Sequence, residues 1–170
     1  VVGDVVEASR DDVERALAEA AAGAAAWATT PAGERAAMLE RAADALESEL
    51  PILLGLLARE AGKTMPNGVA EVREAVDFLR FYAAQARRDL GGGDVAPLGP
   101  VVCISPWNFP LAIFTGQIAA ALAAGNPVLA KPAEQTPLVA AEMVRRLHAA
   151  GVPRSALQLH ANSALRERKL

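Results

Sequence analysis

The sequence predicts an α/β protein in which a run of N-terminal helices precedes an incomplete doubly wound parallel (Rossmann-like) sheet. Three observations lead to that class. Up to about residue 98, apolar residues recur at helical spacing between capping signals. From Val101 onward, short apolar runs alternate with helix-length segments. Two of those runs, VVCISPWNFP at 101–110 and VLAKPAEQTP at 128–137, end in polar turns flanked by proline. Strands alternating with such helices need parallel crossovers, and a parallel sheet is covered on both faces. Three strands fall short of the roughly five or six of an average sheet, so this one reads as unfinished.

The elements follow in order. Ser9, with Asp11 and Asp12 behind it, marks a helix start, the acidic pair favoured at the positive end of the helix dipole, and the helix runs to about Trp27. Thr30 and Pro31 repeat the signal as an N-cap with proline at the first helical position, followed by Met38, Leu39, Ala42, Ala43 and Leu46 on one stripe. Pro51 opens a third helix, PILLGLLAREAG, that closes at Gly62. Pro66, Asn67 and Gly68 are expected to break the chain before a long helix from about Val69 to Arg88, with Val72, Ala75, Val76, Leu79 and Tyr82 on its apolar face. Gly91 to Gly93 and Pro97 mark a flexible connection. Then come a strand at 101–104, a helix at 110–124 closed by Gly125, a strand at 128–130, a helix opened by Thr136 and Pro137 that ends near Gly151, and a strand at 157–159. The expected organisation is a helical segment and linker at 1–98, a partial doubly wound sheet domain at 99–159 and a C-terminal tail at 160–170.

Composition excludes several function classes. A net charge of −3 with 22% charged residues leaves no basic footprint for nucleic acid. The most lipid-like stretch, 111–130, is interrupted by Thr115, Gln117, Gly125, Asn126 and Pro127, which suits a buried helix and strand rather than a membrane span. The N-terminus lacks the basic start and apolar run of a signal peptide, and a single cysteine forms no internal disulfide, so a cytoplasmic location is expected. The first residue is valine, which hints at a piece of something longer. His148 and His160 have no metal-ligand spacing, so no metal is expected.

Open α/β sheets bind ligands at the carboxyl ends of their strands, and here those ends carry an amide, a lysine and a carboxylate. The turn after the first strand lacks GxGxxG, so the usual dinucleotide fingerprint is absent. Periodicity alone stops at an α/β chain with an unidentified ligand.

The residues themselves go further. GPVVCISPWNFPLAIFTGQIAAALAAGNPVLAKPAEQTP resembles the start of the cofactor-binding domain of the aldehyde dehydrogenase superfamily, with PWNFP and KPAEQTP in order and at about the right spacing. AREAGKT and EVREAVDFLRFYAAQAR resemble the helices that precede it, so the likeness runs from about Val5 to Leu159. Within the superfamily the wording is closest to the L-glutamate γ-semialdehyde (pyrroline-5-carboxylate) dehydrogenase module of the bifunctional proline utilisation A enzymes, which use NAD. The resemblance implies a small-molecule aldehyde substrate and leaves a homo-oligomer open for the complete enzyme. The short Gly91 to Leu98 connection would shorten the hairpin through which family members associate.

Roles are implied only where residues match. Asn108 matches the amide that holds the oxyanion formed when a thiolate attacks the aldehyde; the plainer reading is a cap for the helix after Pro110. Lys131 and Glu134 match the pair that contacts the adenosine ribose, where a carboxylate accepts from both hydroxyls and repels the 2′-phosphate of NADP. Their plainer readings are a surface cation and a solvated charge near a helix start. Ile104, Ser105, Pro106 and Trp107 match the segment that lines the cofactor, Ile104 through its main chain, although a tryptophan at a strand end is commonly core. Phe109 and Glu71 are candidates for the aldehyde side, against core packing for the one and a solvated helix face for the other.

Cys103 sits inside the apolar run, where burial raises a thiol pKa, and it reads as a core residue. The family nucleophile belongs to a later motif, after a glycine-rich turn and a glutamate, and neither appears here. After Leu159 the family pattern gives way to HANSALRERKL. The expectation is therefore part of an NAD-dependent aldehyde dehydrogenase, inactive alone. The alternative is a non-catalytic fragment that binds nucleotide weakly or complements another chain.

Overall fold

A computed structural model describes residues 2–92 and 95–160. Helix α1 (Arg10–Thr29) begins as its sequence predicts: Ser9 Oγ accepts from the Asp12 amide at 3.2 Å, and the Asp12 carboxylate accepts from the Ser9 amide at 2.9 Å. Helix α2 (Ala32–Ser48) begins differently. Pro31 stands at the cap rather than the first helical position, and the Thr30 hydroxyl turns back to donate to Ala26 O of α1. Helix α3 (Leu50–Ala61) carries Pro51 in its first turn and ends at Gly62, whose φ of 66° is the left-handed conformation that glycine adopts without strain.

Helix α4 (Met65–Asp89) corrects the expected break at Pro66, Asn67 and Gly68. Thr64 is its cap, accepting from the Asn67 amide, so Pro66 lies in the first turn, where an amide hydrogen has no helical partner to lose. The helix starts four residues earlier than the pattern suggested. Val72, Ala75, Val76 and Leu79 are buried as predicted, whereas Tyr82 is only half-buried. Of the predicted glycine connection, Gly93 lies outside the described residues, as does 161–170 of the predicted tail.

The second half alternates as expected: β1 (Val101–Ile104), α5 (Ala112–Ala123), β2 (Val128–Lys131), α6 (Pro137–Ala149) and β3 (Leu157–Leu159). The strands are parallel in the order β1-β2-β3, with Val101 opposite Val128 and Ile104 opposite Lys131. Helices α5 and α6 share one buried cluster with Cys103, Ala130 and Leu157 on one face of the sheet, as successive crossovers of the same hand require. Helix α1 lies on the other, against β2 and β3, where Leu129 packs with Ala16 and Ala20. That face is incompletely covered over β1, where Val102 and Ile104 are 57% and 61% exposed.

One continuous set of buried residues joins the helices to the sheet, including Leu39, Leu46 and Leu79 from the first half and Phe114, Val128 and Leu147 from the second. Buried arginines reinforce the seam. Arg35 donates to Ala123 O at the end of α5, and Arg146, 2% exposed, pairs with Glu49 and with Glu142. Arg145, and then Arg146, hold the Glu142 carboxyl at about 2, well below its ordinary value. A carboxylate depressed in the folded state stabilises the protein above its unfolded pKa and loses that contribution as pH falls through the folded one. The thermal midpoint should therefore drop as pH is lowered from about 5 to about 2. Glu142→Gln should flatten that part of the profile in calorimetry.

Among the described residues no helix is long and apolar enough to cross a membrane, and no cluster of three metal-ligating side chains is found.

Candidate functional site at the carboxyl rim of the sheet

Strands β1 and β2 stop level with one another. Ile104 and Lys131 are register partners, and the Ser105 amide donates to Lys131 O at 3.2 Å. Gln117 of α5 donates from Nε2 to Ile104 O at 3.2 Å, so that main-chain acceptor is already engaged. The chain then turns outward. Ser105 is buried and Pro106 half-buried, while Trp107, Asn108 and Phe109 are exposed. Trp107, 57% exposed, is thus not a core residue. Nor does Asn108 cap α5: the helix begins at Ala112, with Leu111 at the cap position and no side-chain cap. Among the described residues the Asn108 amide makes no hydrogen bond, which leaves it available to a ligand.

Glu71 is buried rather than solvated, its side chain 1% exposed. Its Oε1 accepts from the amides of Leu111 and Ala112 at 2.8 and 3.3 Å, and its Oε2 lies 2.9 Å from Lys63 Nζ. Lys63 Nζ in turn stands 4.4 Å from the centroid of the Phe109 ring. The same device recurs at α6, where Glu60 accepts from the amides of Leu138 and Val139 at 2.8 and 2.7 Å and Thr136 supplies no side-chain cap. Helix N-termini are where a dinucleotide-binding fold ordinarily seats phosphate. Here carboxylates from α3 and α4 occupy both, in keeping with the missing glycine fingerprint. Sequence reasoning missed Lys63 and Glu60; both act across large separations, and no local spacing signals that.

Lys131 is half-buried at the end of β2, and Glu134 is exposed in the turn before α6. Ile104 and Lys131 also line an apolar cleft of about 260 Å³ between the sheet and α1, with Val13, Leu17, Val102 and Leu129 as its walls. His160 borders it, its pKa pushed down by burial and so neutral at neutral pH. An apolar slot with a lysine among its lining residues suits a flat apolar group that carries a polar substituent.

Cys103 points the other way, into the core. It is 5% exposed, and burial pushes its thiol up to about 11, far from the thiolate a nucleophile needs. Iodoacetamide at pH 8 should label the urea-unfolded chain rapidly and the native chain scarcely. Equal rates would contradict this placement.

Packed helices leading into a parallel βαβαβ unit, with polar side chains gathered on its carboxyl rim, define the class: an open α/β protein of the kind that binds ligands at that rim. The chain belongs to the aldehyde dehydrogenase family, whose model matches residues 1–165. It is 64% identical over 159 residues to the bifunctional protein PutA of Klebsiella aerogenes, covering 94% of this chain and 12% of that protein. It is 40% identical over 169 residues to the 1-pyrroline-5-carboxylate dehydrogenase of Anoxybacillus flavithermus, covering 92% of this chain and 33% of that one. The crystal structure of a 1-pyrroline-5-carboxylate dehydrogenase from Thermus with bound NAD superposes with a TM-score of 0.88 at 34% identity, over 94% of this chain and 34% of that one. The chain thus spans a minor part of the relatives it matches.

Proposed function

We propose that this chain supplies part of the active site of an NAD-dependent aldehyde dehydrogenase that oxidises L-glutamate γ-semialdehyde, the open form of 1-pyrroline-5-carboxylate, to glutamate in the cytoplasm. The observation that carries this reading is Asn108, exposed and without a hydrogen-bond partner among the described residues, on the same rim as Lys131 and Glu134. A fixed amide donor aimed at the oxygen that becomes negative when a thiolate adds to the aldehyde lowers the barrier selectively. Lys131 and Glu134 take the adenosine ribose hydroxyls, and the carboxylate disfavours a 2′-phosphate. Ser105, Pro106 and Trp107 form the wall along which the cofactor lies, and Phe109 faces the aldehyde side. NAD, when bound, accepts the hydride that leaves the aldehyde carbon.

Glu71 has a different part in this reading. Its carboxylate is committed to α5 and to Lys63, so it shapes the turn rather than meeting the aldehyde. The nucleophile comes from outside this chain, because its one cysteine is buried and protonated. The dinucleotide phosphates likewise need a seat other than α5 or α6. These features also favour treating the isolated chain as non-catalytic, with at most weak nucleotide binding.

A chimera tests the reading, with this chain replacing its matching segment in the Klebsiella PutA. It should oxidise the semialdehyde with NAD in preference to NADP, and Glu134→Ala should narrow that preference by raising KM for NAD. A folded chimera without activity would refute the assignment, and an unchanged cofactor ratio in Glu134→Ala would refute the ribose role.

A further inference from the structure

We propose that Lys63 is a positioning residue for the turn that presents Asn108, its ammonium group bridging the buried Glu71 carboxylate and the face of the Phe109 ring. Lys63 is itself rigidly placed. It follows the left-handed Gly62, its amide donates to Leu57 O at 3.2 Å, and Thr64 immediately after it caps α4. Its side chain is only 15% exposed. Glu71 Oε2, buried, accepts no hydrogen bond among the described residues, so the ammonium 2.9 Å away is its compensating charge.

The other oxygen of that carboxylate holds the Leu111 and Ala112 amides, and the Phe109 ring lies under the same ammonium at 4.4 Å. One cation therefore grips the turn on both sides of Pro110. Asn108 makes no hydrogen bond among the described residues, so its aim depends on the backbone its neighbours fix. An oxyanion donor works through being already oriented when charge develops. A cation over an aromatic face gives the contact direction as well as strength.

The consequence for catalysis rests on the reading of Asn108 given above, whereas the tether itself can be tested with no activity, in the 170-residue chain by NMR. In the wild-type chain the ε-methylene protons of Lys63 should be displaced upfield of the ordinary lysine position by the Phe109 ring. Lys63→Met should accelerate amide exchange at Leu111 and Ala112 about tenfold, the factor for weakening one charged hydrogen bond, with Leu39 and Ala83 in α2 and α4 unchanged. Lys63→Arg, which keeps a cation able to pair and stack, should restore the wild-type rates. An ordinary ε-methylene shift in the wild-type chain would overturn the proposal without any variant. So would unchanged exchange at Leu111 and Ala112 in Lys63→Met, or an equal acceleration at Leu39 and Ala83. Failure of the oxyanion reading shows separately, as an unaltered kcat in Asn108→Ala with the tether intact.

Discussion

Glu71→Ala should lower the unfolding free energy by about 3 kcal/mol in urea titrations. The substitution leaves the mostly buried Lys63 ammonium without its counter-charge and strips the amides of Leu111 and Ala112 of their acceptor. Removing one partner of a buried pair costs more than the pair contributes, because the remaining charge stays desolvated. Glu71→Gln should cost less, since a carbonyl oxygen still accepts from the amides. Glu60→Ala should cost about 1 kcal/mol, the ordinary value of a helix cap, because Glu60 is half-buried. Equal losses for the two alanine variants would mean that Lys63 contributes nothing.

The second large effect is kinetic. In the PutA chimera, Asn108→Ala should lower kcat about 100- to 1000-fold, the range for deleting one oxyanion donor, and leave KM for NAD unchanged. Stability should stay within about 0.5 kcal/mol, as for an exposed side chain with no partner among the described residues. The split between kcat and stability separates a donor from a structural residue. An Asn108→Ala variant as fast as the parent would remove the asparagine from the mechanism.

Much of this architecture was legible because it is local. Ser9 with Asp12, Gly62 and the apolar stripes of α2 and α4 follow from contacts within one or two turns, and short apolar runs marked all three strands. Proline misled in two directions. Pro66 looked like a breaker and proved an initiator, and Thr30 looked like a cap and instead bonds back to α1. Both signals are ambiguous by a residue or two, since proline is tolerated only in a helix's first turn and otherwise ends it.

The rim was placed by motif, and its surroundings were not. Glu71 falls next to Val72 on a helix whose polar face is mostly solvated, and its burial arises only when the start of α5 arrives from forty residues later in the chain. Lys63 and Glu60 are hidden for the same reason: their partners are remote amides and a remote ring, which leave no periodic trace. For Trp107 and Asn108, the plainer readings of core and cap fell away once the turn proved exposed and α5 began beyond it.

The most direct measurement is NADH formation from L-glutamate γ-semialdehyde, followed side by side for the purified 170-residue chain and for the PutA chimera that carries it. The expectation is none from the chain alone, whose only thiol is buried, and turnover from the chimera. NADH produced by the isolated chain, or a folded chimera that produces none, would contradict it.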